Sequence, residues 1–189
     1  MYDNIARWHA EHVNFARLLS LLEKELDLFH KGDSPDYKMM LDVMFYMTHY
    51  PDIHHHPKED LAFARIRERD ASARATVDQL MAQHALLRHS GMDLVQGLDD
   101  IVNGTISSRE RIESTGRAYV EHFRNHMQAE EAEILPLAAR ILNAADWRTI
   151  DAATAHIEDP LFGSRTELRY AALREQIKRE ARPADAAPR

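Results

Sequence analysis

HFRNHMQAEEAEILP, residues 122–136, sets the terms on which this chain must fold. In a helix, His126 and Glu130 stand four residues apart and leave the same face. Tyr119, Phe123, Ile134, Leu137 and Ile141 continue that face in steps of three and four, so it is the face a helix would bury. A histidine and a carboxylate set into an apolar stripe are costly to bury without partners. The rest of the chain has to supply them.

Working outward, the same alternation of threes and fours recurs in three more segments. The first helix is expected over about Asp3–His30, with Ile5, Trp8, His12, Phe15, Leu19, Leu22, Leu26 and Phe29 on its seam, and Lys31-Gly32 as its stop. Asp33 or Ser34 offers a cap, and Pro35 stands near the start of a second helix. That helix carries Leu41, Phe45, Thr48, Asp52, His55, Glu59, Phe63 and Ile66. Pro51 and Pro57 lie inside it, which predicts a kink or short break around Tyr50–Ile53. A third helix is expected over about Ala71–Asn103 through Val77, Leu80, His84, Leu87, Gly91, Leu94, Leu98 and Ile101. The fourth, capped by Ser107 or Ser108 and bent by Pro136, runs to about Leu142.

Four long amphipathic helices with short links predict an all-α, up-down-up-down four-helix bundle over residues 1–142. Residues 143–182 read as a C-terminal appendage of two helices: a short one from Ala144 to about Ile157, then Arg165–Arg182 after a turn at Asp159-Pro160 and Gly163. Residues 183–189 read as a disordered tail.

Composition narrows the classes. The chain has 189 residues, 44% of them apolar and 29% charged, which is ordinary for a soluble globular protein. A net charge of -7 with no basic cluster argues against a nucleic-acid partner. No apolar run reaches membrane-span length, and the opening MYDNIARWHAEH lacks a secretory-signal layout, so no membrane association and a cytoplasmic location are expected. The absence of cysteine excludes disulfides and thiolate ligands. Histidine, at 12, is the unusual count, and position must decide which of the 12 matter.

Counting along antiparallel helices places His12, His55, Glu59, His84, His126 and Glu130 at one level, within about one helical turn. Four imidazoles and two carboxylates in a dry layer point to metal, because a bare His–Glu network would be expensive to bury. Imidazole with carboxylate suits iron, manganese or zinc, and six donors are too many for a four-coordinate structural zinc. Shared between two ions with both glutamates bridging, they leave positions open, so a pair of iron ions with room for a small exogenous ligand is expected. His122 reads as a boundary residue. His56, paired with Asp60, reads as an outer or surface ion pair, and His9 as solvent-exposed. His30, His49, His54, His89 and His156 read as surface residues, and Glu131 and Glu133 as a solvated face. Phe63, Leu87, Phe123 and Met127 are core residues that would keep the pocket dry.

These pieces resemble a known family. AEH ending at His12, HHPKED from His55 to Asp60, QH ending at His84, and HMQAEEAEILP from His126 to Pro136 are similar to the bacterial hemerythrin-like (HHE cation-binding) proteins. The resemblance implies that His12, His55, Glu59, His84, His126 and Glu130 are ligands of two iron ions joined by an oxo or hydroxo bridge. Oxygen-carrying hemerythrins have a second histidine one turn along helix three, where this chain has Arg88. Their helix-four motif ends in a more widely spaced aspartate, where this chain has Glu130. The likeness is therefore to the sensing and redox branches, and reversible oxygen storage is not expected.

Three functions follow as expectations. One is a non-haem di-iron protein binding oxygen, nitric oxide or peroxide in sensing or in oxidative or nitrosative stress. Another is an enzyme turning over peroxide or nitric oxide at the same centre, with Tyr119 the nearest candidate proton donor. The last is an iron-binding or iron-sensing module. The appendage could cap the bundle or make a homodimer contact.

Overall fold

The computed structural model describes residues 3–105, 107–153 and 157–181, and among them every regular element is helical. Helix α1 spans Asp3–His30 and α2 spans Tyr37–Tyr50. A π-helical turn at Pro51–His55 leads into α3, His56–Arg69, and a 3-10 turn at Ala71–Ala73 into α4, Arg74–Val102. Helix α5 spans Arg109–Ala129, and a second π-helical turn at Glu130–Ile134 leads into α6, Leu135–Ile141. Helix α7 covers Ala144–Ala153, and α8 covers Ala171–Glu180 after a 3-10 turn at Leu168–Tyr170. His156 and the tail 183–189 lie outside the described residues. Among the described residues no helix is long and apolar enough to cross a membrane.

The ends of the long helices follow local chemistry. Gly32 (φ 86°) and Gly104 (φ 80°) adopt the left-handed conformation that closes α1 and α4. There Asp33 N–H reaches Leu28 O, and Thr105 N–H reaches Asp100 O. The cap of α2 is Asp36, which accepts from Met39 N–H, rather than the expected Asp33 or Ser34. Ser108 caps α5 by accepting from Arg111 N–H. The expected sixth helix begins late. Asp159 accepts from the Leu161 and Phe162 N–H groups, and Glu167 N–H donates to Pro160 O, so a closed loop occupies the stretch before Leu168.

The expected break near Pro51 is instead a widened turn. Pro57 has no N–H to offer the Ile53 carbonyl, and His56 N–H reaches five residues back to Pro51 O. Pro136 does the same to Ala132, and Leu135 N–H reaches back five residues to Glu130 O. Both prolines thus place a wide turn one step upstream, beside the residues of the layer.

Helix α1 packs against α2 and α5, and α4 packs against α2, α3 and α5. The buried apolar residues form two clusters. One includes Phe15, Leu19, Tyr46, Tyr50, Leu87, Phe123 and Met127. The other includes Trp8, Phe63, Ile66, Val77, Leu80, Ile134 and Trp147. On each principal helix a residue of the polar layer marks the change from one cluster to the other: His12 between Trp8 and Phe15, Glu59 between Tyr50 and Phe63, His84 between Leu80 and Leu87, and Glu130 between Met127 and Ile134. The polar layer divides the core.

Helix α4 packs tightly against its neighbours at Gly91. A Cβ there would lie 2.7 Å from Thr48 Cγ2 and 3.1 Å from Tyr119 Cε2. Gly91→Val is expected to cost about 1–3 kcal/mol through overpacking. At this chain length each kcal/mol is worth roughly 2–4 °C of melting temperature. A thermal melt by circular dichroism that is unchanged in the variant would show that the helices separate freely at this point.

Candidate metal centre

All six residues converge. His12, His55, Glu59, His84, His126 and Glu130 are each at most 5% exposed, and both glutamates are fully buried. The imidazoles face one another in two pairs. His12 Nε2 lies 3.0 Å from His55 Nε2, and His84 Nε2 lies 3.0 Å from His126 Nε2. Each carboxylate spans the pairs. Glu59 turns Oε1 to His55 (3.1 Å) and His12 (3.5 Å), and Oε2 to His84 (3.7 Å). Glu130 turns Oε2 to His12 (3.4 Å), and Oε1 to His126 (3.1 Å) and His84 (3.5 Å).

The outer nitrogens show which tautomer each ring adopts. His12 Nδ1 donates to Glu131 (2.8 Å), His55 Nδ1 to Glu11 (2.6 Å), His84 Nδ1 to Asp60 (2.8 Å) and His126 Nδ1 to the Gln83 amide oxygen (3.0 Å). With the proton committed to Nδ1, each Nε2 turns a lone pair toward the centre. These four clamps form a ring around the bundle. Glu11 of α1 holds the histidine of the next principal helix, Asp60 of α3 holds that of α4, and Gln83 of α4 holds that of α5. Glu131, in the turn after α5, returns to α1. The expected solvated face at Glu131 is thereby corrected: it is half-buried and carries His12, with exposed His9 also donating at 3.1 Å.

The expectation for His56 is also corrected. It is 1% exposed, and its ring stacks on His84 with centroids 4.2 Å apart and planes 15° apart. Its Nδ1 contacts Asp52 (3.1 Å), not Asp60. Its Nε2 is buried without a hydrogen-bond partner. Donor atoms of His56, Glu59, His84 and His126 lie within 4.8 Å of one another, as do those of His12, His55 and Glu59. Sequence reasoning placed His56 about 100° off the seam of an ideal helix. The wide turn ending at His55 delivers both neighbours to the interior. Tyr119 packs beside Gly91 and Phe123, and the tyrosine tied to the layer is Tyr50, which donates to Glu11 (3.0 Å). His122, His89 and His30 are exposed, and His49 and His54 are half-buried.

The site's chemistry fits cations. Neither oxygen of Glu59 or Glu130 receives a hydrogen bond of ordinary geometry, because the nitrogens nearest them present lone pairs. Two nitrogens bound at about 2.1 Å to one first-row ion, at right angles, stand about 3 Å apart, which matches both imidazole pairs. Without an ion the layer collects protons. Burial alone would lower His12 and His84. For His12 the bond to Glu131 and the nearby carboxylate of Glu59 outweigh burial, for His84 the bond to Asp60 and the nearby carboxylate of Glu130 do so, and both rise to about 10. His56 goes the other way, held well below its usual range by burial and by the neighbouring charges of His84 and His55.

Two outcomes are expected. Histidines that bind protons more tightly folded than unfolded stabilise the metal-free fold fully below their usual 6.5, and that stability is lost as pH rises toward about 10. Melting temperatures of the metal-free protein should fall across that window and those of the metal-loaded protein should not; a flat metal-free profile contradicts the cluster. Asp60→Ala should weaken metal affinity by about 10–100-fold, read by competition with a chromophoric chelator. Unchanged affinity would remove Asp60 from the site.

No curated protein and no solved structure gives a significant match to the chain. A family model does: the hemerythrin HHE cation-binding domain matches residues 3–138, from the start of α1 into α6. That span holds both imidazole pairs, both spanning carboxylates and all four ring clamps, and the chain belongs to the hemerythrin HHE cation-binding family.

Proposed function

We propose that the protein is a non-haem di-iron member of this family, binding oxygen, nitric oxide or peroxide in sensing or stress handling in the cytoplasm. The observation that carries the reading is the split of each carboxylate. Glu59 and Glu130 each direct one oxygen to the His12/His55 pair and the other to the His84/His126 pair, as two bridging ligands would. His12 and His55 would then hold one ion, and His84, His126 and His56 the other, so the His12/His55 side would offer fewer protein donors and more room for a small ligand. When bound, a bridged pair of iron ions supplies a reversible redox change and a place for a small ligand.

The protein's own part is to orient and to exclude. The ring of outer acceptors fixes each Nδ1–H, so every Nε2 is ready as a donor. Phe15 and Phe123, stacked edge-on with centroids 5.9 Å apart, and Phe63 above His84 keep water from the layer. The bundle over residues 1–142 runs up-down-up-down, and the alternating order of the two apolar clusters along successive helices supports this. Residues 143–182 form an appendage, with α7 against α3 and α8 against α2. A second reading, turnover of peroxide or nitric oxide, is favoured by one feature: Tyr50 joined through Glu11 to His55.

Metal analysis after ferrous loading should find close to two irons per chain, and a single zinc in their place would overturn the di-iron reading. The double change His55→Ala with Glu59→Ala should abolish the iron absorption spectrum. His56→Ala should weaken uptake of the second iron by about 10–100-fold. Unaltered uptake in that variant would return His56 to a packing role.

A further inference from the structure

Beside the centre, three buried tyrosines stand in line. Tyr50 and Tyr46 stack with ring centroids 5.5 Å apart and planes 20° apart, and Tyr46 meets Tyr170 edge-on at 5.7 Å. The line begins at the layer, and both of its ends reach a pocket at the surface. At the inner end, Tyr50 OH donates to Glu11 Oε1 (3.0 Å), and the other oxygen of Glu11 accepts from His55 Nδ1 (2.6 Å). Tyr50 and Tyr170, the two ends of the line, both border an open pocket of about 240 Å³ with Phe45, His49, Glu158 and Glu167, and Tyr46 lies behind them. Tyr46 OH, wholly buried, donates to Asp159 (2.8 Å).

Packing alone does not require this chemistry. Phenylalanine would fill the same volume at Tyr46 and Tyr50 without burying two hydroxyls that need carboxylate partners. Burial pushes both phenols upward, so neither ionises near neutrality. A buried phenol that is to lose an electron must lose its proton as well, and each of these two has a carboxylate oxygen within hydrogen-bond reach.

We propose that Tyr50 and Tyr46 are a redox-active pair that delivers electrons to an oxidant of the peroxide class reduced at the His/Glu centre. The inference rests on the di-iron reading above. Tyr50 gives up one electron toward the oxidant and its hydroxyl proton to Glu11. Tyr46 then gives one electron to the Tyr50 ring, which takes its proton back from Glu11, and passes its own proton to Asp159. With Tyr50 oxidised a second time, the pair has supplied two electrons and released two protons. These match the two electrons and two protons that break the O–O bond of one hydrogen peroxide and form two waters. At the pocket, two low-molecular-weight thiols restore the phenols, losing two electrons and two protons as they join in one disulfide. The consequence is that excess oxidising equivalents leave the layer through tyrosine and not through its histidines.

The test uses full-length, iron-loaded protein mixed with hydrogen peroxide and frozen for electron paramagnetic resonance. Wild type should give a phenoxyl radical signal. Tyr50→Phe should lose at least nine-tenths of it, Tyr46→Phe should keep a Tyr50 signal but consume about half as much added thiol per chain, and Tyr37→Phe, far from the line, should match wild type. Equal radical yields in wild type and Tyr50→Phe overturn the proposal, and so does equal thiol consumption per chain in wild type and Tyr46→Phe. Iron content and melting temperature of the same samples separate the readings. Two irons per chain with no radical in wild type overturns the tyrosine pair alone. Failure to bind two irons overturns the di-iron centre and the tyrosine pair together.

Discussion

Two carboxylates without an exposed atom, Glu59 and Glu130, lie at the middle of the bundle. Burying even one ionised carboxylate unpaired is among the most expensive things a protein interior can do. Here the pair is kept ionised: burial acts to raise Glu59, yet the charges and close nitrogens of His55 and His12 hold it well below the usual carboxylate range. The surrounding histidines, the outward acceptors that set their tautomers and the aromatic residues above and below all follow from satisfying those four oxygens. Positive charge is the one thing the layer demands, and protons or metal ions are the two ways of providing it.

Because the layer separates two apolar clusters, it also governs how the clusters assemble. Neither cluster continues through the His/Glu level, so contact between the halves is made by imidazole and carboxylate rather than by aliphatic side chains. A cation there would link four helices at once, and its binding free energy would count toward folding. The ring of clamps distributes the same dependence. Each imidazole is oriented by a residue on a different helix, so a shift of one helix disturbs the donor set of its neighbour.

Much of this was legible from spacing. Period-three-and-four seams gave the helices, and counting from their ends brought the six layer residues together, because side-chain level in a bundle follows from 1.5 Å per residue. The residues that escaped were neighbours of the layer. Glu11 precedes His12, Asp60 follows Glu59, Gln83 precedes His84 and Glu131 follows Glu130, each one step off the apolar stripe. Polar residues in such positions look solvated, and only the approach of the next helix turns them into acceptors. His56 escaped for a different reason, since a seam drawn with ideal geometry cannot anticipate a widened turn. The signals were Pro57 and Pro136, together with two successive steps of four through His126, Glu130 and Ile134. The late start of α8 depended on Asp159 capping a loop, a choice that helical periodicity does not encode.

The wide turns at Pro51–His55 and Glu130–Ile134 make the site sensitive to chain length as well as to side chains. A π-turn is in effect one residue inserted into an α-helix, and everything beyond it is rotated by about 100° relative to everything before. Deleting Ile53 from the first turn or Ala132 from the second would leave every donor in the sequence and still carry α3 or α6 out of phase with α2 or α5. Phe63 and Ile66, or Leu135 and Ala138, would swing from the core toward water. In these two stretches a lost residue is worse than a wrong one, and substitution is the only kind of change the helix can absorb.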